Sequence, residues 1–167
     1  PTDGIVRVAD SLAVDFETAA TCTLTVTSLS DDGSTSTASF DVQITDYDEF
    51  DVTQPVDDND DDNEIPEDAT AGTSANITAS SSDADGTTNA VTYSIMSQTC
   101  NGAFSVDSSS GDVTVASPSA IDYEVATTCS IAIRATSADG STADSTFVVE
   151  ITDVNDVAPQ YAATDAN

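Results

Sequence analysis

The stretch TTCSIAIRATSADGSTADSTFVVEITD, from Thr127 to Asp153, reads as two strands joined by a turn, and ATCTLTVTSLSDDGSTSTASFDVQITD, from Ala20 to Asp46, reads the same way. In the later copy Ile131 alternates with Ile133 and Val149 with Ile151; in the earlier one Leu24 alternates with Val26 and Val42 with Ile44. A period of two is the mark of a half-buried strand. The turn falls around Asp31-Asp32-Gly33, with Gly140 in the place of Gly33. The likeness runs well beyond these hairpins. Residues Gly4 to Phe50 repeat at Gly111 to Val157 without a gap, at an offset of 107, and about twenty of the forty-seven aligned pairs are identical. Asp15-Phe16-Glu17 falls on Asp122-Tyr123-Glu124, Cys22 on Cys129, Phe40 on Phe147 and Ile44-Thr45-Asp46 on Ile151-Thr152-Asp153. Such a period marks an array of like units, of which this chain is a window that opens part-way through one copy.

Charge narrows the partners. The chain has 31 acidic and 2 basic residues, Arg7 and Arg134, for a formal net charge of −29. A surface so negative repels nucleic acid. No apolar run approaches the ~18 residues of a membrane span, and no basic amphipathic helix is present, so no membrane insertion is expected within this window. The sequence opens on Pro1 with no initiator Met and no signal peptide, as in a processed piece of a larger secreted polypeptide. Ser and Thr make up roughly a quarter of the residues, and Asn76-Ile77-Thr78 matches the N-glycosylation acceptor pattern. The alternative is that β-branched Thr and small Ser simply suit exposed strand positions.

The three cysteines are read in repeat phase. Cys100 and Cys129 fall within the one complete copy, and a disulfide between them closes a 29-residue loop. Cys22 occupies the place of Cys129 in the preceding copy, so its partner is expected upstream of Pro1. A disulfide framework implies an oxidising, extracellular setting. Buried free thiols remain the alternative, since Cys is also a common core residue.

The fold class is all-β, a tandem Greek-key β-sandwich with about seven strands per domain. Residues 1–50 are the C-terminal part of one domain with the start of a linker, with strands expected at Ile5 to Ala9, Thr21 to Leu29 and Thr35 to Thr45. Residues 51–157 are a complete domain including an acidic linker at 51–63, and 158–167 begin the next repeat or linker. Its strands are expected near Ser74 to Ser80, Ala90 to Ile95, Ala103 to Val106, Asp112 to Ala116, Thr127 to Ala135 and Ser141 to Asp153. No helix of normal length is expected.

Between Asp57 and Glu64 six of eight residues are carboxylates, which by itself describes a solvated loop. The remaining acidic groups sit at strand ends and turns and recur across the repeat. Pro66-Glu67-Asp68 leads to Gly72-Thr73, Asp83-Ala84-Asp85 precedes Asn89-Ala90-Val91-Thr92-Tyr93-Ser94-Ile95, and Phe104-Ser105-Val106-Asp107 leads to Gly111. Ile121-Asp122-Tyr123-Glu124 follows, and the copy closes on Asp153-Val154-Asn155-Asp156-Val157-Ala158-Pro159. In this order the motifs resemble tandem cadherin domains over essentially the whole window.

The resemblance implies Ca2+ between successive domains, a cation that takes six to eight oxygen ligands at loose geometry. The first junction would use Asp15, Glu17, Asp46, Asp48, Glu49, Asp83 and Asp85; the second would use Glu67, Asp122, Glu124, Asp153, Asn155 and Asp156. Three departures stand out. Asp48-Glu49-Phe50 replaces the family's Asn-Asp-Asn, Val157 replaces a final Asn, and Ser28 and Ser137 stand where the family has an Asp after its sixth strand. The last puts one calcium position in doubt and favours one or two ions per junction over three. Asp57 to Glu64 is an insertion and a candidate additional cation site.

With no His, no Lys, and no Gly-x-Ser-x-Gly, Cys-x-x-Cys or phosphate-cradling loop, the chain is not read as an enzyme. The leading function is a calcium-binding extracellular structural repeat of a filament, fibre or long surface stalk, with neighbouring copies or repeats of the same protein as partners. The alternatives are a cell-surface adhesin, or a carbohydrate-binding module built on an exposed aromatic pair among Tyr47, Phe50, Tyr93 and Tyr161, with glycans as partner. A halophilic protein whose charge serves only solvation would scatter its carboxylates over strand faces instead of gathering them at junctions.

Overall fold

The computed structural model describes residues 4–156. Ten strands form three sheets. The hairpin of β1 (Thr21–Leu29) and β2 (Thr35–Gln43) stands as a two-stranded sheet. The remaining strands are β3 (Val56–Asp57), β4 (Glu64–Pro66), β5 (Ser74–Ser80), β6 (Val91–Gln98), β7 (Phe104–Val106), β8 (Asp112–Val115), β9 (Thr128–Ser137) and β10 (Thr142–Thr152). They make two four-stranded sheets in the orders β4-β10-β9-β6 and β3-β5-β8-β7. Among the described residues the helices are two three-residue 3-10 turns, Ser11–Ala13 and Pro118–Ala120, and none is long enough to cross a membrane.

Alternation places the core between these sheets. In β9 every second residue from Cys129 to Ser137 is buried, and Ile131, Ile133 and Ala135 are fully covered. Ile77 from β5, Val113 and Val115 from β8, Val149 from β10 and Ile65 from β4 belong to the same cluster. Each such aliphatic side chain contributes about 1.5 to 3 kcal/mol on burial. The pair Cys100–Cys129 is disulfide-bonded, with Cα atoms 5.6 Å apart, and ties the end of β6 to the start of β9. Gly111 shows what the backbone demands at the β5 edge: its φ is +78, and an added Cβ would lie 2.0 Å from the Ala79 carbonyl oxygen. Only glycine fits there without moving β5.

The acidic stretch is more than a linker. Val52 and Pro55 are buried, β3 pairs antiparallel with β5, and β4 runs parallel to β10 with Ile65 opposite Ile151. The chain thus gives its first strand in two pieces, one to each sheet, and the charged loop lies between them. Asp57 fixes that loop by accepting from Thr78 N at 3.0 Å, Asn59 N at 3.1 Å and Asn63 Nδ2 at 3.0 Å.

The hairpin β1–β2 reproduces β9–β10. Leu24 faces Phe40 and Cys22 faces Val42, as Ile131 faces Phe147 and Cys129 faces Val149 one period later. Their surroundings differ. The β9–β10 face lies under the second sheet, whereas Val26, Phe40 and Val42 are exposed and, with Val6, Val8 and Leu24, line an open cleft of about 780 Å³. Ile5 to Ala9 forms no strand, contrary to the sequence expectation. Its repeat mate β8 is held by β5 and β7, and neither has a counterpart between Gly4 and Leu29. Cys22 is unpaired among the described residues.

Candidate cation sites at the strand ends

Four segments meet at one end of the β3–β10 sandwich: the turn at Phe16 and Glu17, the connection from Ile44 to Val52, the loop from β5 to β6, and the turn from β9 to β10. Backbone and side-chain hydrogen bonds lace them together. Thr53 N donates to Ser82 O at 2.8 Å, Val52 N to Ser141 Oγ at 2.9 Å, and Gly86 N to Glu17 Oε1 at 2.9 Å. Gly86 is needed for the last contact, because a Cβ there would lie 2.6 Å from Cε1 of Phe16.

Asp85 is the centre of this end. It is 1% exposed, its Oδ1 accepts from Glu49 N at 3.2 Å, and its Oδ2 is buried without a partner. Oxygens of Glu17, Asp46 and Asp85 lie within 4.8 Å of one another, and so do those of Asp48, Asp85 and Asp139. Asp46 Oδ1 is a second buried oxygen without a partner, while Asp46 Oδ2 accepts from Thr87 Oγ1. Buried carboxylate oxygens left unpaired are costly, and like charges this close repel strongly. Lost hydration, then the charges of Asp139 and Asp85, hold the Asp48 carboxyl above its ordinary range; lost hydration, then Glu17, Asp85, Asp46 and Asp15, do the same to Glu49. The protein has only two basic side chains to offer, and Arg134 is bound to Asp144 at 2.7 and 2.8 Å.

Not every expected residue joins these groups. Asp15 accepts from Thr18 N and Thr18 Oγ1, and those bonds hold its carboxyl below the usual range. Asp83 turns inward, accepting from Ser137 Oγ and, at 3.0 Å, from Asp85 N. Glu49 stands beside the groups and gives its backbone amide to Asp85. The residue that sequence reasoning passed over is Asp139, two positions beyond Ser137 and beside Gly140 in the turn. The repeat register also corrects a pairing, since Ser137 matches Ser30 and not Ser28.

At the other end of the sandwich oxygens of Glu67, Glu124 and Asp156 lie within 4.8 Å of one another. Glu67 Oε1 accepts from Val154 N at 2.7 Å and Oε2 from Tyr123 N at 2.8 Å, which draws its carboxyl below the usual range. Glu124 is pulled down by its own amide, but lost hydration and the charges of Glu67, Asp156 and Asp153 outweigh this and leave it raised. Asp122 accepts from Val125 N at 3.0 Å, in the manner of Asp15, and neither it nor Asp153 nor Asn155 enters the group. Val157 and everything after it lie outside the described residues. No carboxylate triad forms within Asp57 to Glu64 among the described residues. Asn76 Nδ2, the atom a glycan would occupy, donates to Asp62 O at 2.9 Å. Of the aromatics considered for a sugar platform, Tyr93 is buried with its hydroxyl accepting from Ser81 N, Tyr47 and Phe50 are exposed, and Tyr161 lies outside the described residues.

A family model for the cadherin domain matches residues 62–152, more than half of the chain. The protocadherin-like wing polarity protein stan of Drosophila melanogaster is 35% identical over 103 residues, covering 59% of this chain and 3% of that protein. Human protocadherin-16 is 36% identical over 78 residues, covering 47% of this chain and 2% of its own length. The chain therefore spans only a few hundredths of these relatives. Among solved structures, the extracellular domain of protocadherin gamma B4 superposes with a TM-score of 0.69 at 27% identity, over 85% of this chain and 22% of that one. Extracellular cadherin domains 3–6 of protocadherin gamma B2 superpose at 0.67 and 22% identity, over 92% and 37%, a likeness of fold alone.

Proposed function

Because the chain belongs to the cadherin family, we propose that it is a calcium-binding structural repeat of an extracellular filament, fibre or long surface stalk, in which calcium stiffens one domain against the next. Cadherin domains are extracellular, non-enzymatic adhesion modules that characteristically bind Ca2+. The observation that carries the proposal is Asp85, a carboxylate 1% exposed, one oxygen unpartnered, shared by two groups of three acidic residues. These residues fit a hard cation, being all oxygen donors in a loose arrangement contributed by several loops. Glu17 and Asp46 with Asp85 would hold an ion at the first junction, with Asp15, Asp48, Glu49 and Asp83 around it. Glu67, Glu124 and Asp156 would begin the second, with Asp122, Asp153 and Asn155 nearby. The cation supplies the positive charge that the chain lacks.

In this reading residues 1–50 close one domain, 51–157 form the next, and 158–167 start a third. The apolar face of β1–β2 is then the inner face of a sandwich whose other strands belong to the same repeat period. Electron microscopy of the parent polypeptide tests the proposal. Extended, stiff particles in calcium that become flexible or collapse in chelator are expected, since removing the ions exposes junction charge without touching the sandwich cores. Particles of the same shape in both conditions would count against it. The family favours a second reading, an adhesin working through copies of itself on facing surfaces, and calcium-dependent clustering of beads carrying the protein would support that instead.

A further inference from the structure

We infer that Asp139 is a cation ligand in its own right, and that Asp48, Asp85 and Asp139 hold an ion separate from the one at Glu17, Asp46 and Asp85. The inference rests on the calcium reading above and adds to it a site that the sequence put in doubt. The position at which cadherins carry an Asp after the sixth strand is here Ser137, which is 4% exposed and cannot supply the charge. Its hydroxyl lies between Asp83 Oδ2 and the Thr88 carbonyl and serves to hold the loop. The charge has moved two residues along. Asp139 is half-buried, and its oxygen lies within 4.8 Å of oxygens of Asp48 and of the buried, partly unpartnered Asp85.

The turn is built to aim this side chain. Gly140 takes φ +99, Gly140 N donates to Ser137 O at 3.0 Å, and Ser137 N donates to Ser141 O at 3.0 Å, closing a tight hairpin end. Ser141 N then donates to Asp139 Oδ1 at 2.7 Å, while Ser141 Oγ accepts from Val52 N and so fastens the incoming connection to the same turn. One carboxylate oxygen is used by the turn and the other is left for the group. The earlier copy repeats the device: Gly33 N donates to Ser30 O at 2.9 Å, Ser30 N to Ser34 O at 2.9 Å, and Ser34 N to Asp32 Oδ1 at 2.9 Å. The displaced aspartate is thus a property of the repeat, not an accident of one turn. It assigns Asp32 the same task at the preceding junction.

The test counts ions. The chain is stripped with chelator, titrated with calcium alone, and weighed by native mass spectrometry as wild type, Asp139→Asn and Ser137→Ala, with circular dichroism as the fold control. Asn keeps the oxygen that accepts from Ser141 N, so the turn is retained. The expected result is that Asp139→Asn binds one calcium fewer than wild type while Ser137→Ala binds the full number. An unchanged count and affinity in Asp139→Asn would overturn the inference and leave the calcium reading standing, and so would loss of every ion, because the sites would then not be separate. A wild-type chain that takes up no calcium would overturn both.

Discussion

Asp85→Asn is expected to make the calcium-free protein more stable and the calcium-loaded protein less stable than wild type. Without cations Asp85 is a buried carboxylate facing Glu17, Asp46, Asp48 and Asp139, and no basic residue compensates it. A neutral amide relieves that repulsion and can still accept from Glu49 N. The calcium-free variant should therefore gain on the order of 1 kcal/mol. With calcium the sign reverses, because both groups lose the ligand they share. A site saturated at 100 times its Kd stabilises the folded state by about 2.7 kcal/mol, so the variant should forfeit at least that much of the wild type's calcium-induced gain. Chemical denaturation of both proteins with calcium and with chelator measures the four stabilities. A variant that gains as much from calcium as wild type would remove Asp85 from any cation site.

Replacing Cys100 and Cys129 together by alanine is expected to cost about 3 to 4 kcal/mol, from the loss of a cross-link that closes a 29-residue loop in the unfolded chain. Alanine avoids burying two hydroxyls in a place where Cys129 is wholly covered. For a sandwich of about a hundred residues this corresponds to a fall in Tm of more than about 12 °C. The loss should be the same with and without calcium, since the bridge lies between β6 and β9 and not at the acidic ends. A loss below about 1 kcal/mol would show that the unfolded chain gains little freedom from the cut.

The two results separate what the sequence shows plainly from what it hides. Strands β1, β5, β9 and β10 were legible because alternation of Ile131 with Ile133, or of Val149 with Ile151, states which face is buried. Position in the repeat located the disulfide and most of the acidic residues that the loops bring together. What stayed hidden depends on pairing instead of pattern. β3 is only two residues long and β4 three, inside a run of carboxylates, so their identity as strands comes from β5 and β10 beside them. Ile5 to Ala9 has the pattern without the partners and forms no strand. Asp139 escaped notice because a motif was matched by position, at Ser137, when the turn geometry of Gly140 and Ser141 decides which side chain reaches the group.

The account stands or falls on a cation beside Asp85. The most direct measurement is anomalous diffraction from a crystal of the chain grown in calcium, at a wavelength where calcium scatters anomalously. The predicted result is a peak with the carboxylate oxygens of Glu17, Asp46 and Asp85 at about 2.3 to 2.6 Å. Ordered water in that position, with the carboxylates unmoved and no anomalous signal, would contradict it.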